Sequence, residues 1–335
     1  MTLNERKTKI LEAIIYDYIT HGEPVSSRTI EKRYNLGVSS ATIRNEMSDL
    51  EELGFILQPH TSAGRVPTDL GYRLHVDRMV MQELTDEQQT YLKNTIASNI
   101  SHMGYLMKET AKAISLLTNY TTIVSEVSAS RLTIQHVQLM PMDNGSIAVT
   151  VITITKLIKN AVVPIDPAPD IATLNRLTSL LNNLLAGKSA DDIRHLSLGT
   201  SPETPVLEAV LDAIITILTT EEEIAIFTSG VNNILAYPGF DDMAKAQNMF
   251  KALEQKDMLI TLLGHGNEAN VQVIIGSENN LEELKDCSII RASYGQNGQP
   301  LGSIGIIGPT RMDYAAVSSV LNAVVKKINT ALLLG

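Results

Sequence analysis

Two short helical patterns meeting across Asn35-Leu36-Gly37 constrain this chain more than any other feature, because so tight a turn presses consecutive helices against each other. Ahead of them Thr2-Leu3-Asn4-Glu5 has the form of a capping box. Ile10, Leu11, Ile14, Ile15, Tyr18 and Ile19 then recur at a helical period up to His21-Gly22. Pro24 breaks the chain, Ser26 or Ser27 caps a second helix through Ile30 to Tyr34, and Ser39 or Ser40 caps a third running to about Leu53. Gly54 stops that helix. Phe55-Ile56-Leu57, the polar loop Pro59-His60-Thr61-Ser62-Ala63-Gly64 and the return Arg65-Val66-Pro67 read as strand, loop and strand. The expectation for residues 1–80 is a winged helix-turn-helix.

Thr68-Asp69 caps a helix that leads out of this unit, and residues 82–119 read as further helix with Leu92, Ile96, Ile100, Met103, Leu106, Met107 and Ala111 as its stripe. Beyond Tyr120 the period shortens to that of strands, at 122–127, 132–140, 146–154 and 159–165, with Asp143-Asn144-Gly145 as a hairpin signal. Pro164, Pro167 and Pro169 precede a helical block over 170–220, whose apolar positions are Leu174, Leu177, Leu181 and Leu184, then Val206, Val210, Ile214 and Ile217. Strands resume at 224–227, 271–275, 288–293 and 303–307, the last two joined through Asn297-Gly298, and a helix from Tyr314 to Leu333 closes the chain. This order predicts an α+β multidomain protein: a split α+β domain at 81–165 and 262–335, interrupted by a mostly helical insertion at 166–261.

A chain of 335 residues exceeds what one core usually holds. No stretch approaches the roughly 20 apolar residues of a membrane span, and the start lacks the order of a signal peptide, so a cytoplasmic protein without membrane contact is expected. The single cysteine, Cys287, reads as a small buried apolar residue. Neither a metal-ligand cluster nor a nucleophile-base constellation is visible. His265, Gly266 and Cys287 have no catalytic spacing, so no enzyme activity, metal or cofactor is expected. The formal charge of −10 argues against nucleic acid only as a sum. Residues 1–80 hold ten Lys/Arg and eleven Asp/Glu, whereas the rest of the chain holds seventeen and twenty-six. Arg28, Lys32, Arg33, Arg44 and Arg65 form a basic face provided the acids lie on the far side.

In the third helix Ile43, Met47 and Leu50 share an inward face, which turns Ala41 and Asn45 outward beside Thr42 and Arg44. Asn pairs with adenine, Arg with guanine, and Ala touches a thymine methyl. Ser39, Ser40 and the N–H groups of the helix start suit phosphates. Arg65, in a loop with His60, Thr61 and Ser62, fits a side chain reaching the backbone or a narrow minor groove. Asp49, Glu51 and Glu52 lie at the other end of the helix. The methionines, Met103, Met107, Met140, Met142, Met243, Met249 and Met258 among them, read as core filler, with a soft surface that a protein partner could grip as the alternative.

Several runs resemble one known family, the heat-inducible transcription repressor HrcA. They are Val25-Ser26-Ser27-Arg28-Thr29-Ile30, Ser39-Ser40-Ala41-Thr42-Ile43-Arg44-Asn45-Glu46-Met47, the loop from Pro59 to Asp69 with Gly71-Tyr72-Arg73, and Gly308-Pro309-Thr310-Arg311-Met312-Asp313-Tyr314. Leu70 departs from the pattern, which has a basic residue there. The resemblance implies a repressor of chaperone operons that binds an inverted-repeat operator in double-stranded DNA as a homodimer and is kept active by the GroEL chaperonin. It further implies a GAF-like domain carrying an inserted dimerisation domain. A rival from another class is a small-molecule sensor using the GAF-like domain, to which Gly302, Gly305 and Gly308 lend little, since they read as strand and turn glycines.

Overall fold

The computed structural model describes residues 3–61, 63–99, 103–125, 133–142, 145–154, 157–167, 169–196, 202–219, 225–237, 250–251, 253–264, 270–296 and 299–334. The chain begins with α1 (Glu5–His21), α2 (Ser27–Arg33) and α3 (Ser40–Glu52). Each starts where a short polar side chain replaces the missing helix partner of an early N–H. Asn4 accepts from Lys7 N at 2.8 Å, Ser26 from Thr29 N at 3.1 Å and Ser39 from Thr42 N at 3.3 Å. Each such cap contributes about 1 kcal/mol. Asn4 is therefore the cap of α1, while Thr2 of the expected capping box lies outside the described residues. Gly22, at φ 76°, closes that helix with its N–H on Tyr18 O. β1 (Ile56–Leu57) and β2 (Val66–Pro67) form a minimal antiparallel pair, and α4 (Asp69–Val76) follows. Ile10, Leu11, Ile14, Ile30, Ile43, Met47, Leu50 and Ile56 are all buried, so three helices and the strand pair share a core.

The helical stretch expected over 82–119 is two packed helices, α5 (Asp86–Asn99) and α6 (Met103–Thr118). One apolar stripe fits a helical hairpin as well as a single rod, and periodicity alone does not separate them. Then come β3 (Thr121–Ser125), β4 (Ile134–Met142), β5 (Ser146–Thr153), β6 (Ile158–Pro164), α7 (Ile171–Leu185), α8 (Ala190–Arg194), α9 (Thr204–Thr219) and β7 (Ile226–Ser229). A helix at Lys256–Leu263, β8 (Gln272–Ile275), β9 (Cys287–Gln296), β10 (Gln299–Pro309) and the C-terminal helix Tyr314–Leu334 complete the chain. The turn residues Asp143, Asn144, Asn297 and Gly298 lie outside the described residues.

Two sheets divide these strands. The larger is antiparallel in the order β7-β3-β10-β9-β8. Its alternation sends Val124, Ile304 and Ile306 toward α6 and the C-terminal helix, and Ile123, Ile289 and Ile307 toward Leu259, Leu262 and Leu263. Buried Cys287 belongs to the second set, which agrees with its expected role as a small apolar residue. The smaller sheet, β4-β5-β6, turns Val137, Leu139, Ile147, Val149 and Val151 onto Leu174, Leu177 and Leu181 of α7 and Val210 and Ile214 of α9.

The expected insertion at 166–261 therefore cuts across both layers. β4–β6 share a core with α7–α9, whereas β7 and the 256–263 helix belong to the larger sheet, so the unit with its own core runs over 134–219. An alternating pattern identifies a strand but not its sheet. The outer face of β4–β6 has no covering layer among the described residues. Met140, Ala148 and Val162 stand opposite one another across it, and Met140, Met142, Ile158 and Val162 are each 46–60% exposed. Among the described residues no helix is long and apolar enough to cross a membrane.

Candidate nucleic-acid interface

The burial of α3 fixes which way each side chain faces. Ile43, Met47 and Leu50 are buried as expected, and Ala41, Arg44, Asn45 and Ser48 are exposed on the opposite side. Ser48, four residues after Arg44, extends this outward face, and its helical spacing was open to view in the sequence. Glu46 was not expected in the inward set. Arg6 Nε donates to its Oε1 at 2.6 Å, and Lys7 Nζ lies 3.0 Å from Oε2 and 2.9 Å from Asp49. Burial alone raises the Glu46 carboxyl, but the Lys7 and Arg6 hydrogen bonds and charges outweigh it and hold the group below the usual carboxylate range.

The start of α3 is already occupied. Ser39 is spent as the cap, Ser40 N donates to Glu31 Oε1 at 2.9 Å, and Ser40 Oγ donates to Ser27 Oγ at 3.0 Å. Arg65 stands where the loop returns. Its backbone exchanges two 2.8 Å hydrogen bonds with Val25, making it the root of the loop and not its tip. Gly64 allows this, because a Cβ there would fall 2.5 Å from Val25 O. The Arg65 guanidinium reaches Glu51 Oε2 through Nε at 2.9 Å and Nη2 at 2.8 Å. His60 and Thr61 are exposed at the loop's end, where Gln58 Nε2 donates to the carbonyls of Thr61 and Ala63. Ser62 lies outside the described residues.

Pairing sorts the ten Lys/Arg of residues 1–80. Arg6, Lys7, Lys9, Arg33, Arg65 and Arg73 each meet a carboxylate. Arg28, Lys32, Arg44 and Arg78 are exposed and pair with no acid among the described residues. Three of these four lie on α2 and α3, where Arg28 and Lys32 stand one turn apart. That helix pair carries four Lys/Arg and five Asp/Glu, so its exposed positive groups come from which charges are paired and not from an excess of bases. Lys32, named in sequence only as part of a basic composition, belongs with Arg28 and Arg44.

The far side of the unit is bound to the body of the protein. Arg73 donates to Glu278 and to Val273 O, and Ser277 N donates to Asp69 Oδ2 at 2.8 Å. Tyr72 and Tyr314 lie with ring centroids 5.7 Å apart, and the Arg311 guanidinium sits 5.8 Å from the centre of the Tyr18 ring. The runs at 68–73 and 308–314 therefore meet each other at this junction, which gives them a packing role.

Residues 105–317 match the family model of the HrcA protein C terminal domain. The chain is 39% identical over 330 residues to the heat-inducible transcription repressor HrcA of Lachnoclostridium phytofermentans, covering 96% of this chain and 95% of that one. It is 40% identical over 338 residues to that of Clostridioides difficile, covering 98% and 99%. Among solved structures, the crystal structure of a hypothetical protein at 2.2 Å resolution has the same fold, with a TM-score of 0.62 and 22% identity over 99% of both chains.

Proposed function

The chain belongs to the HrcA family of heat-inducible transcription repressors, which are not enzymes, and from that premise we propose that it represses chaperone operons by binding an inverted-repeat operator in double-stranded DNA. Residues 1–80 act as a winged helix-turn-helix, with α3 in the major groove. Arg44, Asn45 and Ala41 meet base edges, joined by Ser48. Arg28 and Lys32, with Ser39, Ser40 and Thr42 at the helix start, face the phosphates, and His60 and Thr61 form the wing tip, with Arg65 at its root and Ser62 as a further proposed contact. The observation that carries this reading is the set of exposed cations on α2 and α3 that pair with no carboxylate among the described residues.

One recognition helix touches too few base pairs to select a genomic site, so the repressor works as a homodimer. We assign the body with the five-stranded sheet as GAF-like and the 134–219 unit as the inserted dimerisation domain. Leu174, Leu177, Leu181, Val210 and Ile214 fill that unit's own core, which leaves the open face around Met140, Met142, Ile158 and Val162 as the surface for a second copy. The GroEL chaperonin is the proposed modulator, acting in the cytoplasm. The rival sensor reading would use a cleft of about 320 Å³ lined by Gln82, Thr85, Leu117, Tyr120, Asp313 and Ser319. It lies beside the segment joining α4 to α5, not between the sheet and its helices.

A footprint of the purified protein on its host's chaperone promoters tests the reading. Protection of an inverted repeat is expected, whereas no protection together with tight retention of a small molecule favours the sensor. Inserting about five base pairs between the half-sites should abolish tight binding and about ten should partly restore it, because a two-fold dimer needs both helices on one face of the duplex. Indifference to spacing contradicts the dimer.

A further inference from the structure

Arg65 and Glu51 form a pair that DNA binding would have to break. The guanidinium donates from two nitrogens to a single oxygen of Glu51, at N···O distances of 2.9 and 2.8 Å, and the side chains keep only 22% and 33% of their surface. Carboxylate and phosphate oxygens make the same charge-assisted bonds to a guanidinium, so either can serve as the partner. Glu51 projects from the C-terminal half of the helix whose N-terminal half carries Arg44 and Asn45, and Arg65 is anchored to Val25 through its backbone. The guanidinium is thus tethered beside α3, with its charge already satisfied.

We propose that Glu51 is an internal competitor for the DNA backbone, a positioning residue that holds Arg65 until a phosphate displaces it. The inference rests on the DNA-binding reading of α3. An exchange of one anion for another gains little free energy, and it is the same exchange on every sequence. Glu51 therefore lowers affinity for operator and random DNA alike and leaves sequence selection to Arg44 and Asn45. For a protein with only a few uncompensated cations on its reading face, such a restraint limits capture by the non-specific sites of a genome.

The test compares Glu51→Gln with wild type on a random-sequence duplex and on a chaperone-promoter fragment, each at one fixed salt concentration. Affinity should rise by about two- to fivefold on both, the range for a partly exposed ion pair. The gain should vanish when Arg65→Ala is added. It should be absent in Glu52→Gln, which removes the same charge from an exposed neighbour that has no ion pair among the described residues. A residue that only braced the loop would instead give Glu51→Gln weaker binding and a lower melting temperature. Unchanged affinity, a gain that persists without Arg65, or an equal gain in Glu52→Gln overturns the competitor role while the DNA reading stands. A wild type that binds neither duplex removes the DNA reading and the proposal with it.

Discussion

The two halves of α3 treat charge in opposite ways. At its N-terminal half Arg44 and Asn45 stand exposed, and Arg44 has no acid to meet among the described residues. At its C-terminal half every one of Glu46, Asp49 and Glu51 is held by a base from another element: Arg6 and Lys7 of α1, or Arg65 at the root of the loop. One helix thus joins a face available to a partner with a face committed to the fold. The difference teaches that net charge over a domain is a poor guide to its partners, since the acids that bring residues 1–80 to near neutrality are largely consumed internally. The same contrast separates the two sheets, one covered on both faces and the other open on one.

The largest effect should come from the committed half. Replacing both Arg6 and Lys7 by Ala leaves the Glu46 carboxylate buried without a counter-charge, and the stability loss should be about 3 kcal/mol, at the low end for a broken buried pair because Arg6 is half exposed. Chemical denaturation reads it directly. If stability were unchanged, the two halves would not differ as described.

Next in size are Arg44→Ala and Asn45→Ala, each expected to weaken operator binding by about 1–3 kcal/mol while leaving the melting temperature where it was. Binding titrations and thermal melts on the same samples separate the two quantities. A loss of stability without a loss of binding would move these residues into the committed set.

A smaller effect concerns pH. The Glu46 carboxyl is held below its ordinary value of 4.5, so its contribution is present above that value and is lost as pH falls through the lower folded value. The stability gap between wild type and Glu46→Gln should be full at neutrality and should narrow below about pH 4.5. A gap independent of pH would mean that the ion pairs with Arg6 and Lys7 contribute nothing.

Much of this was legible in the sequence because it is periodic or local. Ile43, Met47 and Leu50 set the rotation of α3, and with it the exposure of Ala41, Arg44 and Asn45. Ser26 and Ser39 marked helix starts, and Gly54 an end. What stayed hidden involves residues distant along the chain. The Arg65–Glu51 pair spans fourteen positions and depends on the bridge between Val25 and Arg65. The placement of Arg73 against Glu278 spans 205 positions, and nothing near either residue announces it. Which strands share a sheet is hidden for a related reason. β3 and β4 both read as short strands, yet one pairs with β10, far along the chain, and the other with its neighbour β5.

The central claim is that the cations of α2 and α3 that pair with no acid among the described residues hold DNA, and that those tied up in the ion pairs of α1 do not. Its most direct test is the salt dependence of operator binding for Lys32→Ala beside Lys9→Ala. Both are single lysine deletions, but Lys9 is tied to Glu5 at 2.7 Å and Lys32 to no acid among the described residues. The account predicts that the slope of log affinity against log salt becomes shallower by about 0.9 for Lys32→Ala, one released counterion, and stays at the wild-type value for Lys9→Ala. Equal slopes in the two variants, or a change confined to Lys9→Ala, would contradict it.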